Sequence, residues 1–431
     1  MNTKNYFKVA AILLAYPLAH FYVREIMTFS HENATLKRII FVLLFALWNE
    51  LIIRGRGKAP HKITYIWYGI MTAVAATSVT GLNEEVSMLG LHLCAVYVAL
   101  LSNGILLEGR TGSFIVSDLF NGFILKPFPG FGNIFVDIKS LFRSRKESSA
   151  DTAKKKGGIS AAIGFLVVIL MIPVFIIAVL LLGEINKEFG SAVSGILNSI
   201  AGIFNIRWIL ENMGIAFFAI PACLYLYGML SKCADSDGVR ERKRCEALTR
   251  FRTVCRKVSP LVSVFVTGCF VLLYLSFFVF EARYLFSAFA GRLPVEFTAA
   301  EYARRGFFEL TGIMFINMLI FLAISYFENR EAIGRKLSGF MIISLMAESI
   351  VFSVISFSKL ALYYSRFGYT PKRLLAIWGT LIFAAGAILV IVSRIRRKDL
   401  SRGWIYFTVF SFALMNILSS ILSLTIGGIY E

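Results

Sequence analysis

Apolar residues in this chain gather into long runs, and polar residues gather between them. Eleven runs stand out, at 9–23, 39–53, 63–80, 86–107, 159–183, 208–230, 259–280, 306–326, 338–357, 374–393 and 403–426. A bilayer core about 30 Å thick takes roughly 20 apolar residues as a helix. Lipid offers no hydrogen bonds to a backbone, so each run is expected to satisfy its own amides as an α-helix. The pattern predicts an all-α fold, a polytopic transmembrane helical bundle of eleven spans. The first two runs are short, with 15 residues between Lys8 and Arg24 and 15 between Arg38 and Arg54. A helix of that length rises about 22 Å. Two readings stay open: full spans completed by snorkelling flanks and local thinning, or a re-entrant pair. Both return the chain to the same side.

The connections carry patterns of their own. Phe114, Ile115, Leu119, Phe120, Phe123 and Ile124 precede a break at Lys126-Pro127-Phe128-Pro129-Gly130. Phe131, Ile134, Phe135, Ile138, Leu141 and Phe142 then recur at helical spacing. Segment 108–158 is therefore expected to hold two short interfacial amphipathic helices on the cytoplasmic side, or a re-entrant loop within the bundle. Between 184 and 207, Ile196, Leu197, Ile200, Ile203 and Phe204 suggest an amphipathic helix on the outer surface. The organisation read from this pattern is 1–107 with four spans, the loop 108–158, 159–230 with two spans and the outer helix, a basic loop 231–258, and a five-span bundle 259–431.

Composition agrees with the pattern. Hydrophobic residues make up 57% of the chain and charged residues 16%, against roughly a quarter charged in soluble domains. No room is left for a large soluble domain. A net charge of +19 raises a nucleic-acid reading, but the basic residues sit in short loops flanking apolar runs. With the N-terminus inside, the inside connections hold 32 of the 45 Lys and Arg and the outside ones hold 13. That asymmetry is the positive-inside bias, and it predicts an N-in, C-out protein of the cytoplasmic membrane. The expected partners are the lipid bilayer and anionic lipid head groups, met by 108–158 and by Arg240, Arg242, Lys243, Arg244, Arg250, Arg252, Arg256 and Lys257. Each such charge is worth about 1 kcal/mol at an anionic surface. The N-terminus does not read as a cleavable signal, because Pro17, His20, Arg24 and Glu25 follow the first run with no small-x-small site. Cys233, Cys245 and Cys255 lack zinc-ligand spacing.

Candidate chemistry concentrates in the last five runs. Thr298-Ala299-Ala300-Glu301 has capping-box form. Glu301, Arg305 and Glu309 then fall at i, i+4 and i+8 on one helix face, with Tyr302 and Arg304 beside them. Glu281 and Arg283, ending the preceding run, are plausible partners. Glu348 lies in the middle of the ninth run with Ser344, Ser349 and Ser353 on neighbouring turns. A charged group at bilayer depth costs about 2.5–3.5 kcal/mol on insertion scales, so it should face the bundle interior. Glu50 is a second acid of this class, and His20 and His92 read as helix-to-helix hydrogen-bonding residues. The strip from Lys359 to Arg373, through Tyr363, Tyr364, Arg366, Gly368, Tyr369 and Pro371, falls on the same outer face as 298–309. The candidate polar site is thus Glu301, Tyr302, Arg304, Arg305, Glu309, Glu348 and Arg373. The alternative is that these charges cap and anchor helix ends. No phosphate loop, zinc helix or nucleophile elbow occurs, so no cofactor, metal or catalytic set is implied.

Two segments, Phe297-Thr-Ala-Ala-Glu-Tyr-Ala-Arg-Arg-Gly-Phe-Phe-Glu-Leu310 and Leu362-Tyr-Tyr-Ser-Arg-Phe-Gly-Tyr-Thr-Pro-Lys-Arg373, carry a resemblance. They resemble bacterial polytopic membrane proteins of two domain-of-unknown-function families, numbered forty-one fifty-three and forty-one seventy-three. The resemblance covers most of the membrane portion and is strongest toward the C-terminus. It implies an integral membrane protein with no established activity. It draws attention to Tyr302, Ala303, Arg304, Gly306, Phe307 and Glu309, and to Tyr363, Gly368, Thr370 and Arg373, without giving any of them a role. The residues themselves favour a transporter or permease with a polar site among helices seven to ten. A sensor or scaffold binding a protein or anionic lipid through its basic loops is the alternative.

Overall fold

A computed structural model describes residues 3–27, 33–147, 206–291 and 298–430. These residues are helical, with no strand among them and one isolated bridge, Val258 to Glu328. In chain order the described helices are α1 (Thr3–Phe21, continuing as a π-turn over Tyr22–Met27), α2 (Ala34–Gly55), α3 (Thr64–Thr77) and α4 (Glu84–Ser102). Next come α5 (Ile115–Phe120), α6 (Pro127–Gly130), α7 (Asn133–Glu147), α8 (Ile206–Asp235) and α9 (Gly238–Cys255). The series ends with α10 (Pro260–Phe280), α11 (Ala282–Phe286), α12 (Ala299–Phe327), α13 (Arg335–Phe367), α14 (Pro371–Arg396) and α15 (Ser401–Tyr430).

Eight helical stretches among the described residues are long and apolar enough to cross a membrane: Thr3–Met27, Glu84–Ser102, Asn212–Asp235, Pro260–Phe280, Ala300–Phe327, Arg335–Phe367, Pro371–Arg396 and Ser401–Thr425. The first is longer than its apolar run, because helix continues through Lys4 and Lys8 and past Arg24. Two expected spans fall short. Helix α2 has 22 residues, but Lys37, Arg38, Glu50 and Arg54 put charge into every stretch of spanning length. Helix α3 has 14 residues and rises about 21 Å. The expected span at 159–183 and all but the end of the amphipathic segment 184–207 lie outside the described residues.

The chain divides into two compact units. The first comprises Met1–Tyr68, Val96–Ile105 and Leu119–Ser236. Ala11, Ala15, Leu18 and Ala19 give α1 a small-residue face, which lets a neighbouring helix approach closely. Trp48 of α2 is wholly buried there and donates its Nε1 hydrogen to the Ala11 carbonyl at 2.8 Å. Asn49 joins helices by donating to Tyr68 Oη at 2.8 Å and Ser102 Oγ at 3.1 Å. Glu50 instead pairs with Arg54 at 3.1 Å along α2. Helix α6, at the Lys126–Gly130 break, packs against α8 with backbone on backbone: a Cβ added to Gly130 would sit 2.3 Å from the Gly228 carbonyl oxygen. At one end of this unit Arg56 bridges Asp137 at 2.7 Å and Asp235 at 2.5 Å. Tyr227 Oη donates to the same Asp137 at 2.6 Å.

The second unit comprises Gly69–Ala95, Leu106–Asp118 and Asp237–Glu431. Its centre is α13, packed against α10, α12 and α14. Ile342, Leu345, Met346, Phe352 and Ile355 of α13 form the core with Tyr274, Leu310 and Met314. The outer faces are apolar too: Phe265, Val279, Phe280, Phe308 and Leu414 are exposed. Inside, by contrast, lie Thr267, Asn317, Glu348, Ser349, Ser353, Ser356, Lys359 and Asn416. A water-soluble bundle reverses that distribution, whereas lipid, as apolar as leucine, leaves polar contacts and close packing to hold helices together. Asn416 illustrates this, accepting from the Leu82 amide at 3.2 Å and from Ser87 Oγ at 3.0 Å.

Candidate functional site

Helix α12 starts where the sequence places it. Thr298 Oγ1 accepts from the Glu301 amide at 3.3 Å, and Glu301 Oε2 accepts from the Thr298 amide at 3.1 Å. Glu301 is thus committed to capping the start of the helix, as a capping box does. Arg304 is exposed. Arg305 pairs with Glu309 at 2.7 Å, with side chains 63% and 43% exposed, and an exposed pair of this kind is worth little stability. Arg373 ends α13 by donating to the carbonyls of Phe367 at 2.8 Å and Gly368 at 2.6 Å, with its guanidinium 4.2 Å from the Tyr363 ring centre.

Tyr302 points the other way and is wholly buried. Its hydroxyl donates to the Tyr284 carbonyl at 2.6 Å and lies 2.7 Å from Ser287 Oγ. Tyr284 Oη in turn donates to Glu309 Oε2 at 3.3 Å. Burial, followed by the charge of Glu309, holds the Tyr284 phenol above its ordinary value, so it remains a donor.

The two tyrosine rings meet edge to face, 5.5 Å between centres, and Lys359 of α13 is set against both. Its Nζ lies 3.4 Å from the Tyr284 ring centre and 4.3 Å from that of Tyr302. Lys359 is 0% exposed and its ammonium has no hydrogen-bond acceptor among the described residues. Glu309 and Glu281 are near enough to attract it. Gly306 makes the space: a Cβ there would lie 2.5 Å from Lys359 Cδ. Lys359 lies outside the apolar run, where an interfacial helix end is expected. The helix instead continues to Phe367, which carries Lys359 into the bundle.

Glu348 lies deeper on the same helix, 8% exposed, and its Oε2 is buried without a hydrogen-bond partner. Beside it runs a satisfied polar relay. Tyr274 Oη donates to Asn317 Oδ1 at 2.9 Å, Asn317 Nδ2 donates to Ser349 Oγ at 2.8 Å, and Ser353 Oγ donates to the Ser349 carbonyl at 2.9 Å. Glu348, Phe352, Ile355 and Lys359 follow i, i+4, i+7 and i+11, one stripe of α13 about 16 Å long. Ser356, adjoining that stripe, also has a buried hydroxyl with no partner. Most buried polar atoms are hydrogen-bonded, and each unsatisfied one calls for a reason. Here three lie along one side of one helix.

The structure therefore brings Tyr302 and Glu309 into contact with the surroundings of Lys359 and sets Glu348 on the same stripe. Glu301, Arg304 and Arg373 stand apart from it. Lys359, Tyr284 and Gly306 are the residues that sequence reasoning left out of the site. The spacing of Glu348 and Lys359 was the available signal.

Comparison with curated proteins and with solved structures returns no match. A family model does match, over residues 68–424, a stretch that includes every residue of this site. The chain, an all-helical protein with several helices suited to crossing a membrane, belongs to the family described as Domain of unknown function (DUF4153).

Proposed function

We propose that this protein is a transporter of a small polar or ionisable solute, with its route along the inner stripe of α13 between Glu348 and Lys359. The observation that carries the reading is the set of unsatisfied buried atoms on that stripe: Glu348 Oε2, Ser356 Oγ and Lys359 Nζ. A carboxylate and an ammonium held away from lipid are costly to keep, and groups of this kind mark proton and substrate paths in membrane proteins. Glu348 is the group suited to taking up and releasing a proton, and Lys359 the group suited to meeting an anionic moiety. Orientation and span count belong to the same proposal. The basic connections support an inside N-terminus and an outside C-terminus, and the proposal takes the membrane to be the cytoplasmic membrane of a bacterium. The crossings number eleven when α2, α3 and 159–183 join the eight long apolar helices.

The reading is tested by thiol accessibility. In a background lacking the six native cysteines, Glu348→Cys, Ser356→Cys and Lys359→Cys should react with a small membrane-impermeant methanethiosulfonate, while Val354→Cys, on the exposed apolar face of α13, reacts more slowly. Protein reconstituted in liposomes should also carry solute-dependent current that Glu348→Gln abolishes. Unreactive cysteines at all three positions would mean the stripe is sealed, and transport along it would be rejected.

A further inference from the structure

At the far end of the second unit from Lys359, three connections bring arginines together. Arg252 and Arg256 come from α9 and its exit, Arg330 and Arg335 from the turn between α12 and α13, and Arg394 from the last turn of α14. Backbone contacts fix the arrangement: the Val258 amide donates to the Phe327 carbonyl at 3.1 Å, and the Asn329 amide to the Val258 carbonyl at 2.9 Å. Two guanidiniums converge on one residue, Arg252 donating to the Ser325 carbonyl at 3.4 Å and Arg394 to Ser325 Oγ at 3.3 Å. Arg335 donates to the Arg330 carbonyl at 3.3 Å. The Arg252 guanidinium lies 5.9 Å from the Tyr326 ring centre and that of Arg394 5.7 Å from Phe321.

Among the described residues Glu328 attracts Arg330 and Arg394, and the guanidiniums outnumber the acids beside them. Glu328 is buried and accepts from Ser338 Oγ, and Glu331 is exposed. Meanwhile Arg252 Nε and Arg256 Nε are buried donors with no hydrogen-bond acceptor among the described residues. Burial, then the charges of Arg330, Arg252 and Arg335, holds the Arg256 guanidinium below its ordinary value. Arg330 is held down by burial and then by Arg252 and Arg335, with Glu328 opposing them. Glu328 attracts Arg394, while Arg330 and Arg335 repel it. Like charges gathered in this fashion destabilise one another unless an anion comes between them. A guanidinium is a planar fork of five donors that matches phosphate oxygens.

We infer that Arg252, Arg256, Arg330, Arg335 and Arg394 form a binding site for a phosphate group, presented either on a phospholipid head group or as a free phosphate. The site stands apart from the transport proposal, because it uses other residues at the other end of the bundle. If the loops that supply it are cytoplasmic, its ligand comes from the inner leaflet or the cytosol.

The test uses the purified full-length protein. One arm follows thermal stability in detergent with inorganic phosphate against chloride at equal ionic strength. The other measures phosphatidylglycerol retained by native mass spectrometry from nanodiscs of phosphatidylcholine and phosphatidylglycerol. Wild type should bind in at least one arm: retention of phosphatidylglycerol alone identifies the head group, and a response to inorganic phosphate identifies the free anion. Arg252→Gln with Arg256→Gln should weaken that binding at least tenfold, as lost charge-assisted donors do. Arg330→Gln, in the turn between α12 and α13, should weaken it as well. Arg240→Gln with Arg242→Gln removes the same charge from exposed positions of α9 and should leave binding within twofold. Wild type that binds neither probe would overturn the proposal. So would a control that loses as much as the Arg252/Arg256 pair, since diffuse surface charge would then account for everything.

Discussion

Replacing Lys359 by methionine separates two roles that a buried lysine can have. Methionine keeps the length and volume of the stem that fills the space over Gly306, and it deletes the ammonium. The ammonium contacts are rings at 3.4 and 4.3 Å, each worth up to about 2 kcal/mol when desolvated. Against them stands the loss of hydration, several kcal/mol for a buried ion in a real protein. The two sides nearly cancel. Lys359→Met should therefore change stability by less than about 1.5 kcal/mol, as volume-conserving swaps do. Lys359→Ala removes the stem as well and should cost about 2–5 kcal/mol. Stability is followed by thermal unfolding in detergent and flux in liposomes. The expected pattern is a Met variant that is stable and inactive. A Met variant as unstable as the Ala variant would show that the ammonium is a strut, and a Met variant with full flux would remove Lys359 from any transport route.

Further perturbations test the surroundings. Gly306→Ala places a methyl 2.5 Å from Lys359 Cδ and should cost about 1–3 kcal/mol by overpacking; thermal unfolding of the double variant with Lys359→Ala should show part of that cost relieved. Arg56→Met strips Asp137 and Asp235 of their shared cation and should cost about 3 kcal/mol, the lower end for a broken buried pair, because Asp235 is 38% exposed. Retention of the wild-type melting temperature would refute the bridge. Asn416→Leu leaves the Leu82 amide and the Ser87 hydroxyl without their shared acceptor and should cost about 2 kcal/mol, read by the same melt. Asp118 is buried, and burial pushes its carboxyl up to about 7 from 3.8, with Glu108 and Glu241 adding to the effect and the Leu107 amide and Arg244 opposing it. Folding then favours the protonated form, so its contribution is complete below pH 3.8 and is lost as pH rises through about 7. Asp118→Asn should flatten the decline of melting temperature between about pH 4 and pH 7.

The helices were legible because hydrophobic run length decides them, and the α12 start was legible residue by residue because a capping box is local. The expected break at Lys126–Gly130 is instead a short helical turn, α6, with proline at its first position and a π-turn before it. What the sequence concealed depends on contacts between distant segments. Arg56 finds Asp137 and Asp235 81 and 179 residues away, and no pattern in its own loop points to them. The arginine cluster is divided among three connections, each of which reads alone as ordinary topogenic charge. Lys359 escaped for a different reason. A cation a few residues past an apolar run looks interfacial, and only the continuation of α13 through Phe367, with Gly306 opposite, reveals its depth.

A rigid rod sets one last condition on this molecule. Its anionic and cationic tenants sit three turns apart on the same ridge, too far to neutralise each other while the rod stays intact. Across about 16 Å their mutual pull is on the order of 1 kcal/mol at a protein-like permittivity. Each must look elsewhere for a counter-ion, and whatever satisfies one leaves the other still wanting.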